Sequence, residues 1–308
     1  MAKERIILDV DTGHDDAVAI ALAAGLKDRI QIDALIATNG NQVLGKTLEN
    51  TLNLAEALEI EAPVFHGSSL PLIRERYNAG NIHGESGFDG PVFEKRRRKE
   101  DQGNGILWAV DHVLANPGEV TFVSVGPWTD LAVCIKADDR FAKSLKGIVL
   151  MGGAVNIPGN CTPSAEFNVY ADPEAADIVM QCGAPITIMS LDVTHQVRLN
   201  ESIMEAMRNK KSRYKDIFLA SMGFYTASLR KVGTEWPAMH DPCCIAYLAD
   251  PSIFRFEKRD VRVETNRGLS YGKTIGGWLD ESSNTQVGCW ADEEKFWKLF
   301  LDAVEQLP

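Results

Sequence analysis

The sequence predicts an α/β fold with an open, mostly parallel central sheet that is flanked by helices. Short apolar runs rich in β-branched residues recur along the 308 residues, and helix-like stretches lie between most of them. Runs that are apolar on both faces and alternate with helices are typical of parallel strands buried on both sides. No internal repeat, low-complexity segment or Pro/Ser-rich linker interrupts this pattern, so residues 1–308 are predicted to form one domain.

The predicted elements follow in order along the chain. Strands are expected at 5–10, 31–38, 119–125, 146–151, 185–191 and 260–265, where Ile, Val and Leu are concentrated. Helical patterns cover 15–26, 45–60, 172–183 and 224–240, and the helix-rich region from about 200 to 250 is expected to cover one end of the sheet. The last stretch, DEEKFWKLFLDAVEQLP, is an amphipathic helix pattern. Its Phe296, Trp297 and Phe300 are expected in the core or at a subunit contact rather than in a ligand pocket.

Composition narrows the choice of partners. The chain has 43 acidic and 32 basic side chains, a net charge of −11, and its one basic run at 94–100 is flanked by acids. This disfavours nucleic-acid binding, which needs Lys and Arg against phosphates. No signal peptide is evident, and no segment approaches the ~18 apolar residues of a membrane helix. Six cysteines without C-x-x-C spacing indicate reduced thiols, so we expect a cytoplasmic protein.

Four aspartates stand close together in DVDTGHDDAVAI, residues 9–20. Asp9 and Asp11 lie two apart at the end of the first predicted strand and should share a face. Asp15 and Asp16 open the following helix. Ligands of open α/β sheets bind beyond the carboxyl ends of the strands, so this cluster lies where a functional site is expected.

A cation explains this cluster better than helix capping does. Asp15 or Asp16 could cap the helix, but capping leaves Asp9 and Asp11 unexplained. Two carboxylates ~4 Å apart repel by several kcal/mol at an effective protein dielectric. The motif contains no Lys or Arg to offset this repulsion. Its hard oxygen ligands favour Ca²⁺ or Mg²⁺ over zinc, and the EF-hand pattern is absent.

The motif resembles the D-x-D-x-G-x-D-D-A-x-A signature of the nucleoside hydrolases, which cleave the N-glycosidic bond of ribonucleosides. Other segments resemble the family in the same order: TNGNQ (38–42), NIHGESGFDGP (81–91), SVGPWTDLA (124–132), MGGAVNIPGNCTPSAEFNVYADPEAA (151–176) and MHDPC (239–243). The resemblance extends from about residue 5 to about residue 300. It implies a Rossmann-like nucleoside hydrolase fold, with the region at about 200–250 over the active site, and a homo-oligomer, either a dimer or a tetramer.

The resemblance also implies a metal site and a nucleophile. Asp11, Asp16, Asp241 and the backbone carbonyl of Val125 would bind Ca²⁺, and substrate hydroxyls and a water would complete its shell. The Ca²⁺-bound water would attack the ribose, with Asp11 accepting its proton and the anomeric carbon inverted. Asp9 would orient the ligands from behind.

The remaining implied roles concern the ribose and the base. The ribose contacts would be Asp15, Asn41, Asn160, Glu166 and Asn168. His240 would be the general acid for the departing base, for which an unperturbed pKa near ~6.5 is suitable, and His83 would contact base or ribose. Candidates for facing the base are Tyr225, Ser228, Val232 and Trp236. His66, His112 and His195 are expected to be structural or at the surface, and the role of His14 stays open.

The sequence departs from the family pattern at two positions. Thr12 stands where Pro is usual, and Asp130 stands where Asn is common, which a helix start should tolerate. A histidine at position 240 favours the inosine–uridine or pyrimidine group without naming the base. The alternatives are a haloacid-dehalogenase-type phosphatase, which also has D-x-D after its first strand, a non-catalytic metal-dependent nucleoside or ribose binder, and a structural Ca²⁺ site.

Overall fold

The computed structural model describes residues 2–308, and a nine-stranded sheet runs through it. The strands are β1 (Glu4–Val10), β2 (Ile30–Ala37), β3 (Val64–His66), β4 (Val120–Ser124), β5 (Gly147–Met151), β6 (Ile186–Met189), β7 (Phe254–Val263), β8 (Thr274–Leu279) and β9 (Thr285–Ala291). The helices are α1 (His14–Gly25), α2 (Leu44–Ala57), α3 (Gly80–His83), α4 (Gly105–Ala115), α5 (Thr129–Ala137), α6 (Phe141–Ser144), α7 (Phe167–Ala171), α8 (Pro173–Met180), α9 (Leu191–Thr194), α10 (Glu201–Arg208), α11 (Tyr214–Arg230), α12 (Pro242–Ala249) and α13 (Glu293–Val304), with a 3₁₀ turn at Pro251–Ile253.

The sheet is mostly parallel, as the sequence predicts. Its strand order is β3-β2-β1-β4-β5-β6-β9-β7-β8. Neighbours from β3 to β9 pair in parallel, whereas β7 runs antiparallel to both β9 and β8. The order in which strands are added to the sheet therefore reverses at β1, where β2 lies on one side and β4 on the other. This reversal opens a crevice at the carboxyl ends of β1 and β4.

Helices bury both faces of the sheet. One apolar cluster packs α1, α12 and α13 on one face, and a second packs α4, α5 and α8 on the other. Helix α1 is buried almost over its whole length, because small alanine side chains at 17, 19, 21 and 23 let neighbouring helices approach closely. This rigid packing holds the aspartates at its amino end in place.

The predicted strands agree with the structure, with three additions. Five of them match to within a few residues at each end, and the sixth, predicted at 260–265, extends back to Phe254 as β7. The pattern did not predict β3, β8 or β9. β3 has only three residues, and β8 contains Gly276 and Gly277, which weaken a strand pattern.

One helix is shorter than its pattern predicts. The helix expected over 224–240 ends at Arg230 in the structure. Beyond it, Gly233 adopts φ +91°, and Pro237 follows four residues later, so the chain continues as a loop. The prediction was wrong at this point because a helical side-chain pattern continued past residues that end helices.

The amphipathic helix at the end of the chain is a core element. Phe296, Trp297 and Phe300 of α13 are all buried in the first apolar cluster. They lie in the core rather than in a ligand pocket, and they are unavailable as a subunit contact. The basic run at 94–100 is a loop, in which Arg96 bonds to Glu49 of α2 and Arg98 bonds to the carbonyl oxygen of Ala62 beyond that helix. Among residues 2–308, no helix combines the length and apolarity that a membrane crossing requires.

Candidate active site

A cavity of about 610 Å³ opens at the carboxyl ends of the central strands. Asp11, Val125 and Met151 line it, and these residues follow or end β1, β4 and β5. Of the residues to which the sequence assigns contact with the metal, the ribose or the base, all but Asp16, Ser228 and Trp236 line the cavity: Asp11, Asp15, Asn41, His83, Val125, Asn160, Glu166, Asn168, Tyr225, Val232, His240 and Asp241. The structure therefore brings together segments that are far apart in the chain.

Buried carboxylates form the floor of this cavity. One oxygen from each of Asp15, Asp16 and Asp241 lies within 4.8 Å of the others, and all three side chains are buried. Asp15 and Asp16 open α1, and Asp241 lies directly before α12. The compact trio thus includes Asp15, which the resemblance assigns to the ribose.

Asp11 joins the trio through Asp16. The Asp16 carboxylate accepts hydrogen bonds from the backbone N–H of Asp11 (3.0 Å) and of Gly13 (2.8 Å), so Asp16 also caps the start of α1. Asp11 Oδ2 accepts from the backbone N–H of Asn41 at 2.6 Å. Capping and a ligand role are compatible for Asp16, whereas Asp11 lies outside the helix and has no capping role.

Burial and mutual repulsion raise the pKa of these carboxyls. Burial first, and then the charge of Asp16, raise the pKa of Asp15 to about 8. The same two causes raise the pKa of Asp11 well above its ordinary value, and burial with the charge of Asp15 does so for Asp241. Carboxylates packed in this way need a compensating positive charge. An all-oxygen donor set at this position fits a hard divalent cation.

A network of backbone contacts orients the opposite wall. Asn168 Nδ2 donates to the carbonyl oxygen of Val125 at 2.7 Å. Glu166 accepts from the backbone N–H of Gly153 (2.8 Å) and of Asn168 (2.9 Å), which caps the start of α7. Asn160 Oδ1 accepts from the backbone N–H of Phe167 at 2.9 Å. These side chains are therefore held at the cavity by bonds that leave part of their polar groups for a ligand.

The glycine of the motif allows a close approach. A Cβ atom on Gly13 would lie 2.7 Å from both Asn41 Nδ2 and His83 Nδ1. No side chain fits at that position without moving both neighbours. The fixed glycine therefore brings the loop with His83 against the amino end of α1.

His240 is held by Thr194 and is neutral near pH 7. The Thr194 hydroxyl lies 2.8 Å from His240 Nδ1. Burial, followed by the charges of His195 and Arg198, lowers the pKa of His240 to about 3. The value near ~6.5 is that of an ordinary histidine, and His240 departs from it because burial disfavours the charged ring.

The other histidines divide into two groups. His66 at the surface contacts Glu100, and His112 bonds to Asp33, so both are structural or at the surface, as expected. His195 differs from its prediction, because it lines the cavity and its ring lies 5.6 Å from that of His240. Nothing in the sequence around His195 indicates this position, which depends on the fold of the chain after α9.

One face of α11 and the loop after it form the remaining wall. Tyr225 and Val232 line the cavity, as predicted. Ser228 is buried and Trp236 stacks under Arg230, and neither lines the cavity, so the structure does not bring these two candidates to the cavity. The sequence reasoning missed several further lining residues: Tyr77, Asn78, Asn81, Ile82, Cys161, Phe167, Arg198, Leu229 and Thr234.

Asp9 faces a second carboxylate behind the floor. Asp9 Oδ2 accepts from the Ser124 hydroxyl at 2.7 Å, and Asp130 Oδ1 accepts from the backbone N–H of Ser68 at 2.7 Å. Within 2–308, Asp9 Oδ1 and Asp130 Oδ2 have no hydrogen-bond partner, although the side chains are neighbours. Burial, followed by the charge of Asp130, raises the pKa of Asp9. Asp130 lies in the first turn of α5, at the helix start where the sequence places it.

Replacing Asp130 by asparagine is expected to stabilise the protein. The amide would give Asp9 the missing donor, and we expect the free energy of unfolding to rise by about 1–3 kcal/mol. Because the folded pKa of both carboxyls is raised above 3.8, the wild-type pair loses stability as pH rises. The gain should therefore be larger at pH 8 than at pH 4. Urea unfolding measures it, with exposed Asp139→Asn as the matched control; equal effects of the two variants would contradict this explanation.

Comparison with known proteins gives the family. The family model described as inosine-uridine preferring nucleoside hydrolase matches residues 6–298. The chain belongs to this family. It is an enzyme of the nucleoside hydrolase class, which excludes the phosphatase alternative.

Individual relatives match the chain over nearly its whole length. The chain is 39% identical to the pyrimidine-specific ribonucleoside hydrolase RihB of Escherichia coli strain SE11, over 99% of this chain and 98% of the relative. Two solved structures share the fold. A purine-preferring ribonucleoside hydrolase from Gardnerella vaginalis has a TM-score of 0.92 at 27% identity, covering 98% of each chain. The plant nucleoside hydrolase PpNRh1 has a TM-score of 0.90 at 30% identity, covering 99% of each chain.

Proposed function

We propose that this enzyme hydrolyses the N-glycosidic bond of ribonucleosides to free base and ribose, with uridine and cytidine first among its substrates and inosine next. The acidic floor of the cavity, facing a wall with His83 and His240, is the observation that carries the proposal. The 39% identity to a pyrimidine-specific relative favours pyrimidines. We further propose that residues 1–308 act as one domain, with α10 to α12 at the substrate side.

We propose that the carboxylates of Asp11, Asp16 and Asp241 and the carbonyl of Val125 hold Ca²⁺. Their burial and raised pKa values support a resident divalent cation. When bound, Ca²⁺ would supply positive charge that orients a water and lowers its pKa. Asp15 belongs to the same trio of oxygens and could contact both the ion and a ribose hydroxyl.

Asp11 would accept the proton of the attacking water. The backbone N–H of Asn41 holds its Oδ2 at 2.6 Å, which fixes the carboxylate in one orientation. Positive charge grows on the ribose as the glycosidic bond breaks, and the negative floor stabilises that charge. Direct attack by water predicts inversion at the anomeric carbon.

The ribose hydroxyls would bind to Asp15, Asn41, Asn160, Glu166 and Asn168. Hydrogen bonds to backbone groups fix Glu166, Asn160 and Asn168 before substrate arrives. Contacts held in advance in this way cost less ordering entropy when substrate binds. They would therefore contribute binding energy to the transition state.

His240 would assist the departure of the base. A donor bond from the Thr194 hydroxyl to Nδ1 would leave the hydrogen on Nε2, and the neutral ring would then donate that N–H to the departing base. His83 and Tyr225 would form the adjacent wall of the base pocket, since their rings stack 5.3 Å apart.

A nucleoside panel tests this function. We expect release of reducing sugar from uridine and cytidine, less from inosine, and little from adenosine or thymidine, with loss of all activity in EDTA. Calorimetry with uridine is run in parallel. Binding of uridine without release of ribose would favour the non-catalytic binder instead.

We also propose that the chain forms a homo-oligomer through β8. This strand is the last of the sheet and exposes Ile275, Trp278 and Leu279, with Trp278 93% exposed. Apolar edge strands tend to pair with another chain. An antiparallel pair centred between Gly276 and Gly277 would place Ile275 opposite Trp278 of a second copy.

Trp278→Glu is expected to lower the molecular mass in solution. Light scattering coupled to size-exclusion chromatography should give a dimer or tetramer for the wild type and a smaller species for the variant, because a buried charge disfavours the contact. Exposed Leu107→Glu on α4 is the matched control. An unchanged mass for Trp278→Glu would rule out this surface.

We place the enzyme in the cytoplasm. All six cysteines are unpaired thiols, three of them buried, and such thiols persist in a reducing compartment.

A further inference from the structure

His14 lies directly behind the wall of the cavity and is fully buried. The rings of Phe224 and Tyr225 lie nearly parallel to it, with interplanar angles of 3° and 13°. The edge of Phe88 closes a third side at 5.5 Å. His14 does not line the cavity, so any effect on a ligand must pass through a neighbour.

The hydrogen on His14 can be assigned from its contacts. His14 Nε2 lies 2.9 Å from the backbone carbonyl oxygen of Asp89. A carbonyl oxygen only accepts, so Nε2 carries the hydrogen. The ring is neutral at pH 7.5, because an ordinary histidine is already mostly uncharged there and this ring is buried among aromatic side chains, where a charge is disfavoured. A neutral ring has one hydrogen, and Nδ1 of His14 is therefore an acceptor.

The assignment for His14 then determines which nitrogen of His83 carries the hydrogen. His14 Nδ1 lies 3.0 Å from His83 Nδ1, so the hydrogen between them belongs to His83. Burial also keeps His83 neutral, which leaves its Nε2 without a hydrogen. No described residue in 2–308 is hydrogen-bonded to this Nε2, and His83 lines the cavity.

The opposite assignment, in which His14 Nδ1 carries the hydrogen and His83 Nδ1 accepts it, satisfies fewer contacts. It would let His83 Nδ1 accept from the backbone N–H of His14, but that distance is 3.5 Å, at the limit of a hydrogen bond. It would also move the hydrogen of His14 to Nδ1 and place a bare Nε2 2.9 Å from the Asp89 carbonyl, where two lone pairs repel.

We propose that His14 is a positioning residue that fixes His83 as its Nδ1–H tautomer, so that His83 offers a bare Nε2 to an N–H or O–H donor of the bound nucleoside. That the donor belongs to a nucleoside rests on the proposed function. Two donors have this chemistry, the N3–H of a uracil base and a ribose hydroxyl. A site with a buried acceptor discriminates against an analogue that lacks the donor, since the acceptor is then left unpaired.

The tautomer can be measured without any activity. Full-length protein containing ¹⁵N-histidine and Ca²⁺ is studied at pH 7.5 by long-range ¹H–¹⁵N correlation, and His83→Gln assigns the His83 signals. We expect His83 Nδ1 to be protonated and Nε2 to be bare in the wild type. A protonated Nε2 on wild-type His83 would overturn the proposal, whether or not the protein cleaves nucleosides.

Two variants test whether His14 sets this tautomer. His14→Asn keeps an acceptor facing His83, and His14→Phe keeps the aromatic stacking but removes the acceptor. We expect His83 to stay Nδ1-protonated in His14→Asn and to shift toward Nε2–H in His14→Phe. An unchanged His83 tautomer in folded His14→Phe would contradict the positioning role; if that variant does not fold, the wild-type spectrum still decides the assignment.

Kinetics with substrate analogues identify which N–H or O–H group of the nucleoside donates to His83 Nε2. The wild type is compared on uridine, N3-methyluridine, 2′-deoxyuridine and 5′-deoxyuridine, and kcat/KM should fall on the order of 10- to 100-fold for the analogue that lacks the donor. The ratio of kcat/KM for uridine to kcat/KM for that analogue should shrink toward one in His14→Phe and should be retained in His14→Asn. A ratio that is the same in all three proteins would overturn the role of the acceptor in recognition. If no nucleoside is cleaved, that result counts against the proposed function. The tautomer measured in the spectra does not depend on it.

Discussion

Asp11→Ala is expected to lower ribose release from uridine by about 10³-fold or more. The variant loses the proton acceptor, which is worth about 10²–10⁴-fold, and it also loses one oxygen ligand of the proposed cation. Asp11 has no capping role, and its carboxylate accepts a hydrogen bond from the backbone N–H of Asn41, which does not depend on a helix end, so the fold should persist. Reducing-sugar assays at saturating Ca²⁺ measure the change, and circular dichroism checks the fold.

Asp11→Asn separates the loss of the proton acceptor from the loss of the cation ligand. It keeps an oxygen for the cation but is no longer a base, so we expect most of the loss in kcat with Ca²⁺ binding largely retained. Exposed Asp139→Ala serves as the control for a general charge effect. More than a tenth of wild-type activity in Asp11→Ala would remove Asp11 from the reaction as we describe it.

The second large effect is stabilisation by the cation. At a Ca²⁺ concentration about 100 times Kd, binding should raise the free energy of unfolding by about 2.7 kcal/mol. For a chain of this size that corresponds to an increase in Tm on the order of 5 °C. Thermal unfolding after EDTA treatment and dialysis measures this shift, and parallel titrations with Ca²⁺ and Mg²⁺ identify the ion.

Asp241→Asn should raise the Tm of the calcium-free protein and reduce the increase in Tm that Ca²⁺ causes. The calcium-free variant should melt higher than calcium-free wild type, because one buried negative charge is removed from beside Asp15 and Asp16. The Ca²⁺-dependent shift should nearly disappear, because a charged ligand is lost. A wild-type Tm that no divalent cation moves would exclude this cluster as a cation site.

The sequence was informative where chemistry is concentrated in short motifs. The carboxylates of 9–16 and the late Asp241 could be assigned to one site because the resemblance placed them together, although Asp241 lies 225 positions beyond Asp16. Parallel strands were predictable for the same reason that they are stable, since burial on both faces requires continuous apolar runs.

Other features could not be predicted because they depend on packing between segments. His195 resembles a surface histidine in sequence, and only the chain path after α9 brings it to the cavity. Ser228 has a helical spacing suitable for the base pocket, but the rotation of α11 in the fold buries it away from the cavity. The contact between Asp9 and Asp130 requires the register of β1 with β4, which no local pattern encodes.

The position of Asp241 has a consequence for biosynthesis. On the ribosome, the chain would expose its first aspartates long before α12 is translated, so those carboxylates would meet water and not Asp241. The cation site would assemble only after residue 241 has left the exit tunnel, when most of the sheet has already been made. If Asp241 is a cation ligand as we propose, a chain that ends before residue 241 would not cleave nucleosides.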